Sequence, residues 1–163
     1  MDAEAQALLQ TLLRRTRTAS LATLRGGAPN VSMVLYLPED DFTAFHVRVS
    51  RLAWHTQDMQ DDARVALSIQ QTDTPSRDPQ QLARLTLRGE ATRLTEEGTH
   101  FTRLKAAWLA RYPDAGVTFE LPDFSFWRIA PREARFVAGF ARTFNLAPEG
   151  LVEVAKTRAA PAT

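Results

Sequence analysis

Between residues 19 and 49 three strand-like runs follow one another with only short turns between them. ASLATL (19–24) leads into Gly26-Gly27-Ala28-Pro29, Asn30 to Leu37 leads into Pro38-Glu39-Asp40-Asp41, and FTAFHVRV (42–49) closes the set. Glycine supplies the positive φ that a tight hairpin needs. Strands joined this closely pair antiparallel, because a parallel neighbour needs a long crossover. That excludes the doubly wound parallel folds, where a helix follows nearly every strand.

The rest of the pattern fits a small β-barrel with peripheral helices. Residues 3–15 place Leu8, Leu9, Leu12 and Leu13 on one helical face, with Asp2 as N-cap and Arg14 and Arg15 at the cation-favouring end. Ser50 is the expected N-cap of a short helix from Arg51 to about Gln60. ARVALSIQ (63–70) and LARLTLRGEATRL (82–94) read as strands around a polar, proline-bearing loop, and Gly89 marks a bulge or a close backbone approach. Thr95 is the expected cap of a helix reaching about Tyr112, whose Phe101, Leu104 and Trp108 form a stripe that reads as helix packing. FSFWRIA (124–130) and EARFVAGF (133–140) are one strand bent at Pro131 or two short ones. The tail from Ala147 ends in TRAAPAT and reads as frayed.

Composition removes several functions. The chain has no cysteine, so disulfides, thiolate metal sites and a cysteine nucleophile are excluded. A net charge of +1 supplies no global field for nucleic acid or an anionic membrane. No run approaches the ~20 apolar residues that span a bilayer. The acidic opening MDAEAQ is unlike a secretory signal, so cytoplasmic residence is the expectation. Neither GxGxxG nor GxxxxGK occurs, no nucleophile elbow is present, and His46, His55 and His100 are too scattered to form a metal motif.

The positive signal is VSRLAWHTQDM (49–59), a strand running into a helix. Ser50 and Arg51 at a helix start can hold a phosphate, with His55 and Thr56 one turn on. The simpler local alternative is that Ser50 is only a cap and Arg51 a solvated side chain, since helix caps are far commoner than phosphate sites. In NVSMVLY (30–36), alternation puts Asn30, Ser32 and Val34 on one face, and Val31, Met33 and Leu35 on the other. Trp127 and Arg128 project to opposite faces of a strand: a ring contact beside an anion or subunit contact, or a core tryptophan beside a surface arginine.

Taken in order, ASLATLRGGAPNVSMVLY, SRLAWHTQDMQDDARVALSI, DPQQLARLTLRGEATRL and DFSFWRIAPREARFVAGFAR resemble the FMN-binding split-barrel superfamily, which includes the pyridoxamine 5'-phosphate oxidases. They are more similar to its haem-utilisation branch, and the likeness covers about residues 5–146. It implies a mainly β fold: a six-stranded antiparallel split β-barrel of Greek-key type with peripheral helices. Residues 1–146 would form this domain, and 147–163 a C-terminal tail with no second domain. It also implies a homodimer with two composite FMN sites. Asn30, Val31, Ser32 and Met33 would line the flavin ring, with His46 and Val47 at the facing strand end. Ser50, Arg51, His55 and Thr56 would hold the phosphate, Gln70 or Gln71 would approach from the adjoining strand, and Trp127 and Arg128 would come from the partner. The implied activity is flavin-dependent oxidoreduction of a small-molecule substrate, with FMN supplying the redox chemistry. The alternatives are a haem-binding protein and a non-catalytic flavin module. No nucleic-acid or membrane partner is implied. Three departures matter. Leu52 stands where the oxidases carry a phosphate-binding lysine. APREARF lacks their substrate-motif histidine. No histidine follows His100 to ligate haem from the C-terminal segment.

Overall fold

The computed structural model describes residues 1–156. In chain order the elements are α1 (Ala3–Arg15), β1 (Thr18–Arg25), β2 (Ala28–Leu35), β3 (Leu37–Pro38), β4 (Phe45–Ser50), α2 (Trp54–Asp61), β5 (Arg64–Gln70), β6 (Arg84–Arg93), α3 (Gly98–Arg111), β7 (Phe124–Gly139), β8 (Arg142–Leu146) and α4 (Pro148–Lys156). All eight strands join one curled antiparallel sheet of order β2-β1-β5-β6-β7-β4-β3, with β8 added to β7. The six long strands are those the sequence implies. The two extra ones are the short β3 and β8.

The sheet curls back toward its own edge through β7, 16 residues long. Its first half pairs with β4, its second half with β8, and β6 runs beside both. The register slips between Arg88 and Gly89, where Arg132, next to Pro131, is skipped in the ladder. A Cβ on Gly89 would lie 2.3 Å from the Ala130 carbonyl oxygen, so only glycine admits this crossing. The edge strand β2 touches β4 without laddering to it, and that gap is the split in the barrel.

Inward-facing Leu21, Val47, Leu67, Leu85, Trp127, Ile129 and Phe136 fill the barrel. Leu9, Leu12 and Leu13 of α1 close one end together with Leu151 and Val154 of α4. Residues 148–156 of the expected tail are therefore a docked helix, because its apolar stripe meets α1. The stretch read as frayed, 157–163, lies outside the described residues. A second cluster, Leu104, Trp108, Tyr112 and Phe126, binds α3 to the outer side of β4 and β7.

Two expected caps move. Helix α2 starts at Trp54 with Ala53 as N-cap, because the Arg51 N–H donates to the Asp123 carbonyl and carries the β4–β7 pairing past Ser50. Helix α3 starts at Gly98, not after Thr95, because the Glu96 carboxylate is drawn to Arg48 and to the Phe126 N–H. The Gly89→Ala variant is expected to lose about 3 kcal/mol of stability through overpacking at the crossing. Urea unfolding checks this, and an unchanged midpoint would contradict it.

Candidate functional site

A cavity of about 330 Å³ opens at the split of the barrel. Met33, Val34 and Leu35 of β2 form one wall. Arg48, Val49 and Ser50 at the end of β4, with Ala53 and His55 at the start of α2, form the opposite one. Trp108 of α3, Ala115, Thr118 and Phe124 close the back. Its lining is largely apolar with a few polar groups, the usual make-up of a small-molecule site.

The polar groups are already committed in an informative way. The Ser50 hydroxyl donates to the Asp123 carboxylate in a short contact, while its Oγ accepts from the Leu52 N–H at 3.1 Å. An anionic group thus sits at the serine expected to take a phosphate. Arg51 is exposed and makes no ion pair among the described residues. Arg48 is buried: its guanidinium reaches both Glu96 carboxylate oxygens at 3.1 and 3.3 Å, and donates to the Thr118 carbonyl at 2.9 Å. It also lies 3.9 Å from the Phe119 ring centre. Its contacts with Thr118 and Phe119 tie the segment Pro113–Phe119 to β4 at the back of the cavity. Burial lowers the His55 imidazole below the usual histidine range, against the opposing pull of the Asp58 charge.

The structure brings Met33, Ser50 and His55 together at this cavity and sends the other candidates elsewhere. Asn30 donates to Asp58 at 3.0 Å, Val31 is exposed on the sheet edge, and Ser32 is half-buried. Thr56 is buried beneath α2. His46 and Arg128 are cross-strand partners, as are Val47 and Trp127. Val47 and Trp127 both point into the core, so Trp127 packs within its own barrel. His46 is buried, 2.8 Å from Glu39, beside a recess of about 130 Å³ under Arg103. Arg128 reaches the Thr43 carbonyl, and Gln70 is exposed at the end of β5. Trp108, expected only to pack, also forms a cavity wall. The sequence reading missed Arg48, Thr118 and Asp123. An arginine between two core valines was the one available signal for Arg48.

A second, larger depression of about 730 Å³ lies on the outer face of β6, β7 and β8. Arg88, Arg132 and Arg135 line it with Thr86, Glu133 and Asn145. Glu133 pairs with Arg88, Arg132 with Glu90 at 2.9 Å, and Arg135 donates to Asn145 at 3.0 Å. The groove keeps a cationic excess. No group of metal-ligating side chains occurs among the described residues. None of their helices is long and apolar enough to cross a membrane.

This curled sheet, with a cavity at the split and a strand-to-helix turn on its rim, is the split-barrel arrangement. Residues 3–138 match the pyridoxamine 5'-phosphate oxidase family, and the chain belongs to it. Among its relatives, the chain is 34% identical to the chloroplastic heme oxygenase HOZ of Arabidopsis thaliana over 72% of its own length and 34% of the relative's. It thus spans about a third of that protein. It is 24% identical to heme oxygenase HutZ of Vibrio cholerae, over 84% of this chain and 78% of HutZ. The solved heme-binding protein of Mycobacterium smegmatis superposes with a TM-score of 0.80 at 29% identity, over 94% of this chain and 61% of that one.

Burial, chiefly, holds both His46 and His55 below the ordinary value of 6.5, Glu39 and Asp58 respectively pulling the other way. The unfolded chain therefore binds more protons once the pH falls below about 6.5. Their stabilisation is complete above that value and is lost as the pH falls toward the folded values. The urea midpoint is expected to drop between about pH 7.5 and about pH 5.5, with a shallower drop in His46→Gln. A midpoint that rises on acidification would contradict the burial of both rings.

Proposed function

We propose that the chain is a haem-binding protein of the haem-utilisation branch, with flavin the weaker occupant. The observation that carries this reading is the Asp123 carboxylate on Ser50. A phosphate at that serine would meet a negative charge, and Leu52 supplies no compensating cation. Haem asks for different partners: a neutral nitrogen for its iron and cations for its two carboxylates. His55 offers a neutral imidazole on the cavity wall, since burial disfavours its charged form. Arg88, Arg132 and Arg135 offer the cations. The names of the relatives point the same way.

Cavity and arginine groove lie at opposite ends of one sheet face. The cross-strand row Met33, Ser20, Ser68, Thr86, Arg135, Asn145 runs from one to the other. Beside it run Val31, Ala22, Ala66, Arg88 and Glu133. The middle of this face is small, and Val31 and Met33 at its edge are 65% and 70% exposed. We read the chain as a homodimer packed on this face. A two-fold axis through the middle of the row would lay one protomer's arginine groove against its partner's Met33 and cavity. Each haem would then lie between the two chains. When bound, haem supplies the iron chemistry. The chain's residues would hold its carboxylates, offer the imidazole and exclude water through Leu35, Trp108 and Phe124. Oxygenase activity, as named for the relatives, is the enzymatic extension of this reading, and the proposed compartment is the cytoplasm.

Flavin is the second reading, and Arg51 is what favours it: an exposed cation at the approach to α2 with no ion pair among the described residues. In that case the chemistry would be flavin-dependent oxidoreduction.

Hemin titration tests the first reading. A shifted Soret band saturating in the micromolar range is expected. His55→Ala should abolish the shift, and Arg88→Ala/Arg135→Ala should weaken binding by about tenfold or more. No Soret change, or an unaffected His55→Ala, would contradict it. Light scattering should give twice the chain mass for the wild type and a monomer for Met33→Glu.

A further inference from the structure

The cavity's two walls belong to separate pieces of chain. One is β2; the other is α2 with its lead-in. Helix α2 is eight residues long, starts at Trp54 and gets no side-chain cap from Ala53, so little in its own sequence fixes its orientation. What does fix it is a buried carboxylate. Asp58 is 3% exposed and takes three hydrogen bonds from the β1–β2 hairpin. These come from Thr23 Oγ1 at 2.7 Å, Asn30 Nδ2 at 3.0 Å and Arg25 Nη1 at 3.0 Å. Thr23 and Asn30 are direct cross-strand neighbours, so the carboxylate bridges both strands at once. Asn30 also donates to Thr23 Oγ1 at 3.3 Å. Arg25 is gripped a second time by the same helix, its guanidinium 4.4 Å from the Trp54 ring centre. Trp54 and Asp58 stand one helical turn apart on one side of α2.

We propose that Asp58 is a positioning residue: through Thr23, Asn30 and Arg25 it locks the roll of α2 against β2, and so sets where His55 stands in the cavity. A helix of this radius moves its side chains by about 1 Å for each ~10° of roll. The apolar contacts of Met59 resist such a roll weakly, because packing surfaces slide, whereas three hydrogen bonds from two strands do not. The carboxylate suits the task. Burial raises it, but the hydrogen bonds from Thr23, Asn30 and Arg25 and the Arg25 charge more than offset that, leaving it ionised at neutral pH. The Asn30 side chain, expected on a cofactor, serves this lock instead. The weight of the lock for ligand binding rests on the haem reading; the lock itself does not.

The test needs no ligand. The His55 imidazole is titrated by NMR in the free wild-type protein, in Asp58→Asn and in Thr23→Val. Removing the Asp58 charge without moving α2 would lower the His55 value further, because that charge now raises it. Releasing α2 would let His55 reach solvent and raise it. The expected result is a rise of about half a pH unit in Asp58→Asn and a smaller rise in Thr23→Val, where the charge is untouched. A fall or no change in Asp58→Asn would overturn the proposal. If Asp58→Asn does not fold, Thr23→Val decides alone, and an unchanged His55 there would overturn it. Hemin affinity measured on the same variants should fall several-fold with the rise. If hemin binds no form of the protein, the haem reading fails and the His55 result still decides the lock.

Discussion

Everything in this molecule depends on how β7 crosses from one half of the barrel to the other. A 16-residue strand cannot stay flat on a curled sheet, and here it bends where Pro131 faces Gly89. The Ala130 carbonyl fills the space a side chain would need on Gly89. This crossing lets β7 pair with β4 on one side and β8 on the other. It leaves β2 and β4 adjacent but unladdered, which opens the cavity, and it places the arginine groove on the far end of the same face. Fold and site are therefore one problem in strand geometry.

The chemistry of the site turns on charges that the backbone brings together. Asp123 enters β7 opposite the end of β4, so its carboxylate meets Ser50, and its carbonyl takes the Arg51 N–H. The result is a strand-to-helix turn whose serine hydroxyl is already engaged by a carboxylate. Arg48, one step inside, is spent on Glu96 and Thr118 as a structural cation. Among the described residues, His55 is the one histidine on the cavity wall. On the haem reading, such a set suits a planar ligand whose iron accepts a nitrogen donor from the protein.

Much of the architecture was legible because periodicity reports burial directly. The alternation in residues 64–70 and 84–93 is reproduced strand for strand, and Gly89 announced the bulge. The hairpin before β8 was hidden because Ala141 takes a φ of 61°, a position where glycine would have signalled the turn. The caps at Ser50 and Thr95 failed because residues distant in sequence, Asp123 and Arg48, compete for the groups that would have started the helices. The same holds for the site. Met33, Ser50 and His55 come from a short stretch of chain and converge. Asn30 and Trp127 were drawn elsewhere, by Asp58 and by the core, and no local pattern shows that.

The central claim is that this member of the family holds haem in preference to flavin, between two chains. Native mass spectrometry of the protein incubated with hemin and FMN together in equal amounts tests it most directly. The account predicts a dimer carrying hemin and no FMN. A dimer or monomer that takes up FMN while leaving hemin free would contradict it.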